Sequence, residues 1–449
     1  MDLEHQITGV IQTNTTPIIF TVPKGEYRFS FLTSKAATAF EHQDPIAIPT
    51  NDDFIFGKTH TGHNIAVYCN CENINVSTSR GLNTAAYVIS HCNTYKMDSF
   101  SELGFYDRIL FYGGTLNQVS SARKLDTSFE TSNIVITHKT HPIVFDVSSD
   151  EIKCSIEINW GIHEVSGKSV ECSDLVLIMK FDEIQPLKTF FEHYNKIRDL
   201  LSFMTFRYNV GFSKIEIANT KSTLKDHGVS ADVFVQESAQ CTQKDFHINI
   251  CFEEIEQHLP TLLTTLYHVQ DKKPALILGF LPETDNDLFY ITNSKIRNLC
   301  SALESEISQR KDIKKSKNDL ITDLKKRALH LVKEFRKENP GLTDDQCSLI
   351  QGSIGNWSLP LSNKLCALLH LFDDEMLLLS RDEQEVSDVD IVEFVKYRNS
   401  ITHGNHNTIT QQIAKTAFYL QGLVYLCILE RIGMTRDEIK QLCQYKLLR

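Results

Sequence analysis

The sequence predicts an α+β protein, with a β-rich N-terminal domain built as a sandwich or barrel and an all-α C-terminal domain built as a helical bundle. Two periodicities support this prediction. Up to about residue 251, apolar residues alternate with polar ones, as they do in half-buried strands. From about residue 284 onward, apolar residues instead recur at helical spacing, on one face of each predicted helix.

The charge distribution divides the chain at a similar place. Residues 301–449 carry 21 basic and 21 acidic side chains, so the whole formal net charge of −11 lies in the first 300 residues. Residues 271–283 contain two prolines and a glycine, which disfavour regular structure. We therefore predict domains at 1–270 and 284–449, joined at 271–283.

The composition is typical of a soluble globular protein. The chain has 449 residues, of which 41% are hydrophobic and 23% charged, and its 19 Gly and 11 Pro are too few for a collagen-like or low-complexity protein. The longest apolar run, 420–429, is too short to span a bilayer. The acidic first residues lack the features of a signal peptide, and the 12 Cys are scattered singly. We expect a cytoplasmic protein with reduced thiols and no membrane association.

Two segments of the N-terminal domain have clear strand patterns. Residues 108–112 and 115–119 flank Gly113 and Gly114, which permit the positive φ angles of a tight turn, so a hairpin is predicted there. In residues 152–160 apolar and polar side chains alternate strictly, which predicts a half-buried antiparallel strand.

One helix is predicted within this β-rich domain. Pro186 lies near its first turn, a position that proline favours. The apolar residues that follow form a single stripe: Leu187, Phe190, Tyr194, Ile197, Leu201 and Met204.

Helices with start and stop signals are predicted in the C-terminal domain. One carries Leu320, Leu324, Leu331 and Phe335 on one face and ends at Asn339-Pro340-Gly341. The others are expected at 361–379, at 387–402 with Ser387 or Asp388 as N-cap and Gly404 past the end, at 408–431, and after a capping box formed by Thr435 and Glu438.

Four residues of the N-terminal domain could supply zinc ligands. These are Cys69, Cys71, His91 and Cys92. The single residue between Cys69 and Cys71 is shorter than the spacing usual in zinc sites, so packed strand cysteines are favoured over a metal site. We expect no cofactor.

A second metal-dependent alternative involves Asp146, Glu151 and Lys153, whose order loosely resembles that of a metal-dependent nuclease. Lys153, however, lies on the solvent side of the alternating strand, which favours an ordinary surface lysine.

The strongest candidate for catalysis is the segment from Ile391 to Gly404. Ile391, Phe394 and Val395 define the buried face of the predicted helix, and Arg398 projects from the same face. A buried cation is costly, so Arg398 needs an anion, a carboxylate or an interface. His403 follows at the helix C-terminus, where an imidazolium is favoured. An arginine that binds phosphate and a histidine that moves a proton could cleave a phosphodiester, whereas the structural alternative is an arginine paired with an acidic neighbour and a capping histidine.

The motif Arg398–Asn399–x3–His403–Gly404, between two amphipathic helices of a helical C-terminal domain, resembles the Arg-x4–6-His signature of the HEPN ribonuclease superfamily. The sequence YRNSITHG, with a large β-rich domain before it, is similar to the ApeA-type HEPN proteins of bacterial anti-phage defence. The resemblance would cover the whole chain.

This resemblance implies an activity and its residues. Arg398 and His403 would be the catalytic pair, and Asn399 would occupy the polar position after the arginine. Such proteins cleave RNA, with tRNA as one substrate, without metal through attack of the 2′-hydroxyl, and two HEPN domains usually form one composite site. The resemblance thus implies an abortive-infection ribonuclease with an N-terminal sensor domain, a homodimer or larger homo-oligomer formed through the C-terminal domain, and a phage-derived trigger or inhibitor.

Charged blocks suggest further contacts. Residues 310–337 contain eleven basic and four acidic side chains, whereas residues 373–393 contain nine acidic side chains and one arginine. The acidic block could cover the site. The basic block suits an RNA backbone, although a solvated helix face explains it equally well. Its candidate RNA contacts are Lys314, Lys315, Lys325, Lys326, Arg327 and Lys333.

Two other functions stay open at this point. The first is a non-catalytic HEPN-like module in which Arg398 and His403 stabilise a dimer. The second is a ligand-binding β domain with a helical oligomerisation tail, in which RNA plays no part.

Overall fold

A computed structural model gives the fold of the two parts of the chain. It describes residues 6–12, 17–23, 28–33, 54–60, 62–79, 82–95, 105–120, 125–130, 133–138, 142–149, 152–165, 169–220, 229–235, 250–267, 278–284, 286–288, 290–310, 313, 319–355, 360–379, 386–404 and 408–445.

The chain forms two compact units. The first comprises Met1–Val269 with Pro282–Asp285, and the second Gln270–Leu281 with Asn286–Arg449. Antiparallel sheet dominates the first unit and the second is helical, which confirms the predicted α+β class.

The strands of the first unit are β1 Gln6–Gln12, β2 Pro17–Pro23, β3 Arg28–Thr33, β4 Phe54–Thr59, β5 Asn64–Ser79, β6 Leu82–Tyr95, β7 Phe105–Tyr112, β8 Leu125–Glu130, β9 Asn133–His138, β10 Ile143–Ser148, β11 Lys153–Val165, β12 Ser169–Pro186, β13 Lys214–Asn219 and β14 Val229–Val235.

Six of these strands close into a ring. β1 pairs with β2 and β4, β3 joins β2 to β6, and β5 joins β4 to β6, always antiparallel. A closed antiparallel ring is a barrel, one of the two architectures predicted. From β6 the sheet continues through β14, β13, β7, β12, β11 and β10. β8 and β9 pair separately.

The strictly alternating segment is a strand, as predicted. Cys154, Ile156 and Ile158 of β11 are buried, whereas Lys153 is exposed. Both neighbours of β11, which are β10 and β12, run antiparallel to it.

The predicted hairpin around Gly113 and Gly114 is wrong. Both glycines adopt positive φ, at 55° and 62°, but Gly114–Gln118 is a short 3-10 helix rather than a second strand. A returning strand has no free edge to pair with, because Tyr112 at the end of β7 already pairs with Val176 and Lys214 of the neighbouring strands. That pairing depends on residues far along the chain.

Two helices, α1 (Phe190–Thr205) and α2 (Leu259–Tyr267), pack in the first unit. The predicted stripe along α1 is confirmed, since every one of its six apolar residues is buried.

The second unit contains α3 Asn293–Gln309, α4 Asp319–Glu338, α5 Asp344–Gly355, α6 Leu361–His370, α7 Asp373–Leu379, α8 Asp388–Thr402, α9 Gln411–Arg431 and α10 Arg436–Tyr445. Several predicted boundaries are confirmed. α4 ends just before Asn339, Ser387 caps α8, and Thr435 and Glu438 form the capping box before α10. Gly404 lies past the end of α8 with φ of 83°.

The single helix predicted at 361–379 is instead two helices, α6 and α7, separated at Leu371 and Phe372. The break places Phe372 in the core, where the guanidinium of Arg436 lies 3.9 Å from its ring centroid. Asp373 and Asp374 then begin a new helix, where negative charge is favourable.

α9 is long and apolar enough to cross a membrane by length and composition alone. In its most apolar window, however, 72% is buried inside the protein, which is typical of the core helix of a soluble protein.

A network of arginines and glutamates connects α3 with α7, α9 and α10, and sequence patterns did not reveal it. Arg431 binds buried Glu306 at 2.8 Å, and Arg436 contacts Glu430 at 2.9 Å and buried Glu375 at 3.3 Å. Arg310 also pairs with Glu430. Burial raises the pKa of Glu306, and the charge of Arg431 opposes that rise.

Arg431→Ala should lower the free energy of unfolding by about 3 kcal/mol, because it leaves the Glu306 carboxylate buried without its arginine. Urea denaturation followed by circular dichroism measures this loss. Lys440→Ala is the matched control, because it breaks an ion pair with the exposed Asp374 and should lower the free energy of unfolding far less. Equal losses in both variants would contradict a stabilising role for the network.

Candidate functional site

Neighbouring helices of the second unit hold α8, the helix that carries the candidate motif. It contacts α3, α6 and α9. Its buried residues include Ile391, Phe394 and Val395, as its spacing predicts. The Tyr397 hydroxyl donates a hydrogen bond to Asn293 Oδ1 of α3 at 2.8 Å. The backbone of α8 is therefore fixed against α3 one residue before Arg398.

Arg398 points toward α3 and is paired there. Its Nη2 donates to Glu304 Oε1 at 2.9 Å, and its Nη1 donates to Asn399 Oδ1 at 3.2 Å. The Arg398 side chain is 24% exposed and that of Glu304 44% exposed. Among the described residues, the buried Nε of Arg398 has no hydrogen-bond partner. Of the three partners that the sequence left open for this arginine, the structure provides a carboxylate of the same chain.

Cys300 lies beside this pair but is not a plausible nucleophile. Burial raises the pKa of its thiol to about 12, although the positive charge of nearby Arg398 opposes the rise. Because the thiolate is the reactive form, the buried thiol of Cys300 is unreactive at neutral pH.

His403 occupies the C-cap of α8 and is exposed. Its backbone N–H donates to the carbonyl oxygens of Asn399 and Ser400, at 3.1 and 3.2 Å, and so closes the last turn of the helix. Gly404 then turns the chain away with its positive φ. The imidazole is thus available to a ligand from solvent.

Arg398 and His403 project from different sides of α8. Five residues of an α-helix correspond to a rise of roughly 7.5 Å and leave two positions about 140° apart around the axis. Arg398 faces α3, whereas His403 lies at the exposed helix end. Within one chain, therefore, the two side chains flank the helix end instead of converging on one point.

Asn399 is exposed, and its side-chain oxygen accepts from Arg398. With Glu304 it restricts the guanidinium to one orientation.

The candidate RNA-contacting residues lie on another helix or outside the described residues. Lys326, Arg327 and Lys333 are exposed on α4, and Lys325 is half-buried there. Arg327 is paired with Asp323 at 2.8 Å. Lys314 and Lys315 lie outside the described residues.

The acidic block before the motif contributes to helix ends and ion pairs within its described part. Asp390 accepts from the backbone and hydroxyl of Ser387, which caps α8, and this hydrogen bonding lowers the pKa of Asp390. Asp374 pairs with Lys440 at 2.8 Å, and Glu375 with Arg436. These carboxylates stabilise their own unit, and none of these contacts places them over Arg398.

The alternative metal sites lie in the first unit. Cys69 and Cys71 are on β5 and His91 and Cys92 on β6, with a bulge between Tyr68 and Cys69, but their side chains are outside the described part. Glu151 also lies outside it. The described residues contain no group of three or more side chains able to hold a metal ion.

Asp146 and Lys153, the described members of the loosely nuclease-like group, are both exposed on adjacent strands. Neither carries a feature that distinguishes it from an ordinary surface residue.

Comparison with known proteins adds no relative: no family model, no curated protein and no solved structure matches the chain. The resemblance to HEPN proteins therefore depends on the motif, its helix context and the order of the two domains. The motif residues now have a defined setting, namely a guanidinium held on α3 and an exposed imidazole at the end of the same helix.

Proposed function

We propose that the protein is a metal-independent endoribonuclease of the HEPN type, which acts in the cytoplasm during abortive infection and has RNA, with tRNA as a candidate, as its substrate. The observation that supports this most is the setting of Arg398. A cation is kept half-buried and oriented by Glu304 and Asn399, at the helix end that also presents His403.

The Arg398–Glu304 pair is suited to exchange with a phosphate. A carboxylate and a phosphate present similar oxygen geometry to a guanidinium, and both can bind it through two parallel hydrogen bonds. Glu304 is nearly half exposed, so it can move into solvent when a phosphate replaces it. Asn399 would continue to hold Nη1 during this exchange.

The reaction needs one proton removed and one supplied. The RNA 2′-oxygen attacks the adjacent phosphorus while its proton passes to a base, and the bond from phosphorus to the 5′-oxygen breaks while that oxygen receives a proton from an acid. The products are a 2′,3′-cyclic phosphate and a 5′-hydroxyl. His403, exposed at the end of α8, is suited to transfer a proton, and Arg398 would stabilise the charge on the phosphate.

One chain supplies one such histidine, whereas the reaction uses both a base and an acid. A two-fold axis near His403 would supply the second imidazole and would bring Arg398 and His403 of different copies together. Burial alone does not demand this dimer, because the apolar faces of α9 are largely covered within the unit. The chemistry of the reaction is what supports it.

A non-catalytic interaction module is the second candidate. The 2.9 Å pair between Arg398 and Glu304 is also what a purely structural arginine would form. The two functions differ in whether the side chains act on RNA, and measurement of RNA ends separates them.

Arg398→Ala and His403→Ala should each abolish RNA cleavage and any associated cellular toxicity, because phosphate binding and proton transfer are needed in the same event. Sequencing of RNA ends after controlled expression measures this. The melting temperature should change little, since both side chains lie at a helix end.

His370→Ala is the matched control, because His370 is an exposed histidine of the same unit and lies 3.4 Å from Asp373 and 3.5 Å from Asp388, away from Arg398 and Glu304 in sequence. It should cleave like the wild type. Cleavage at near wild-type rate by either Arg398→Ala or His403→Ala would show that the site is assigned wrongly.

Glu304→Gln should strengthen RNA binding several-fold, since the competing carboxylate charge is removed while the hydrogen-bonding shape is kept. Fluorescence anisotropy with labelled RNA measures this in a His403→Ala background, where the RNA stays intact. Weaker binding would indicate that Glu304 is needed to hold Arg398 and does not compete with phosphate.

Cleavage should survive EDTA, because the proposed reaction uses a guanidinium and imidazoles alone. A gel assay with end analysis should detect a 2′,3′-cyclic phosphate. Activity that is lost on chelation and restored by Mg²⁺ would favour Asp146, Glu151 and Lys153 instead.

A further inference from the structure

α4 exposes the apolar stripe that its sequence would be expected to bury. Leu324, Leu331 and Phe335 lie on one face and are 55%, 69% and 54% exposed. α5 packs against α4, and Leu329 and Val332, which lie outside this stripe, are half-buried. Three large apolar side chains on one helix face exceed the scattered single exposures usual for a soluble surface.

The stripe has the spacing of a two-helix coiled coil. Ala328 and Phe335 occupy a positions of a heptad, and Leu324 and Leu331 occupy d positions. Residues at these positions form the seam through which two supercoiled helices contact each other. A partner for this face is therefore a helix of matching pattern.

α4 itself has the matching pattern when it is turned end to end. In an antiparallel pair related by a two-fold axis, Leu324 lies opposite Phe335 of the second copy, and Ala328 lies opposite Leu331 of the second copy. Each contact occurs twice by symmetry, so one helix supplies both sides of the interface.

The charges beside the seam select the antiparallel direction. Arg327 and Glu334 occupy g positions, and an antiparallel pair places Arg327 of one copy next to Glu334 of the other, twice. A parallel pair would instead set Arg327 beside Val332, where it meets no opposite charge. Because the antiparallel pair is the arrangement that brings Arg327 next to Glu334, it is the favoured direction.

These charged groups are not held by strong contacts in the single chain. Arg327 pairs with Asp323 at 2.8 Å with both side chains more than half exposed, and Glu334 lies 3.8 Å from exposed His330. Exposed pairs contribute little to stability, so a second copy competes with them at small cost.

We propose that α4 is a self-association surface, which binds α4 of a second copy in antiparallel orientation through Leu324, Leu331 and Phe335 and through reciprocal pairing of Arg327 with Glu334. Lys326 and Lys333 are at f positions, on the side of α4 away from the seam, and stay accessible to RNA. The proposal does not depend on ribonuclease activity, because it concerns association alone.

Sedimentation equilibrium of the full chain over a range of concentrations tests the seam. The wild type should show reversible association through α4, either of monomers or of dimers already formed near His403. Leu331→Asp should weaken this α4 dimer by about tenfold or more, since the charge would be buried in the seam, and should leave an association near His403 intact. Leu349→Asp is the control, because Leu349 is 74% exposed on α5, outside the seam. It should leave the dimer unchanged. A wild type that stays monomeric, or equal effects of both variants, would overturn the proposal.

Charge reversal tests the direction of the pairing. Arg327→Glu and Glu334→Arg should each weaken the dimer, because each brings like charges together twice. Mixing the two variants should restore association, since every contact in the mixed dimer then joins opposite charges. If the single variants associate like the wild type, or the mixture stays dissociated, the antiparallel pairing is wrong. RNA cleavage is not part of either measurement, so the outcome is distinct from that of the proposed function.

Discussion

The ion pair between Arg398 and Glu304 is the interaction on which the candidate site depends. It places a cation in a half-buried position that would be unfavourable without an anion, and it does so beside the helix end that carries His403. The pair is exposed enough to open and buried enough to keep the guanidinium oriented. In the proposed function, an anionic ligand would take the place of Glu304 on the Arg398 guanidinium.

The rigidity of that arrangement comes from the helices beneath it. α3 carries Glu304 on one side and Glu306 on another, and Glu306 is anchored to Arg431 of α9. Tyr397 and Asn293 connect α8 to the start of α3. The candidate site therefore consists of partly exposed side chains on helices that are held together by contacts such as that of the buried Glu306. In α4, likewise, the apolar stripe is exposed to solvent while α5 packs against the helix.

Local features of the fold were predictable from the sequence, whereas contacts between distant segments were not. The alternation in β11, the stripe of α1 and the caps of α8 and α10 depend on neighbouring residues. Three other features depend on distant segments. The hairpin at Gly113 does not form because β7 already pairs with β12 and β13. The break at Phe372 places its ring against Arg436, and the β ring closes through pairing of strands that are far apart in the sequence. For the site, the need of Arg398 for a partner followed from its helical position, but Glu304 lies 94 residues earlier and has no pattern that identifies it.

The central claim is that Arg398 exchanges Glu304 for an RNA phosphate beside His403. A crystal structure of the wild-type protein with an oligonucleotide that lacks the attacking 2′-hydroxyl tests it most directly. The account predicts a phosphate oxygen within hydrogen-bond distance of the Arg398 guanidinium, with Glu304 released and an imidazole next to the 2′-carbon or the 5′-oxygen. An intact pair between Arg398 and Glu304, with the nucleotide bound elsewhere, would contradict it.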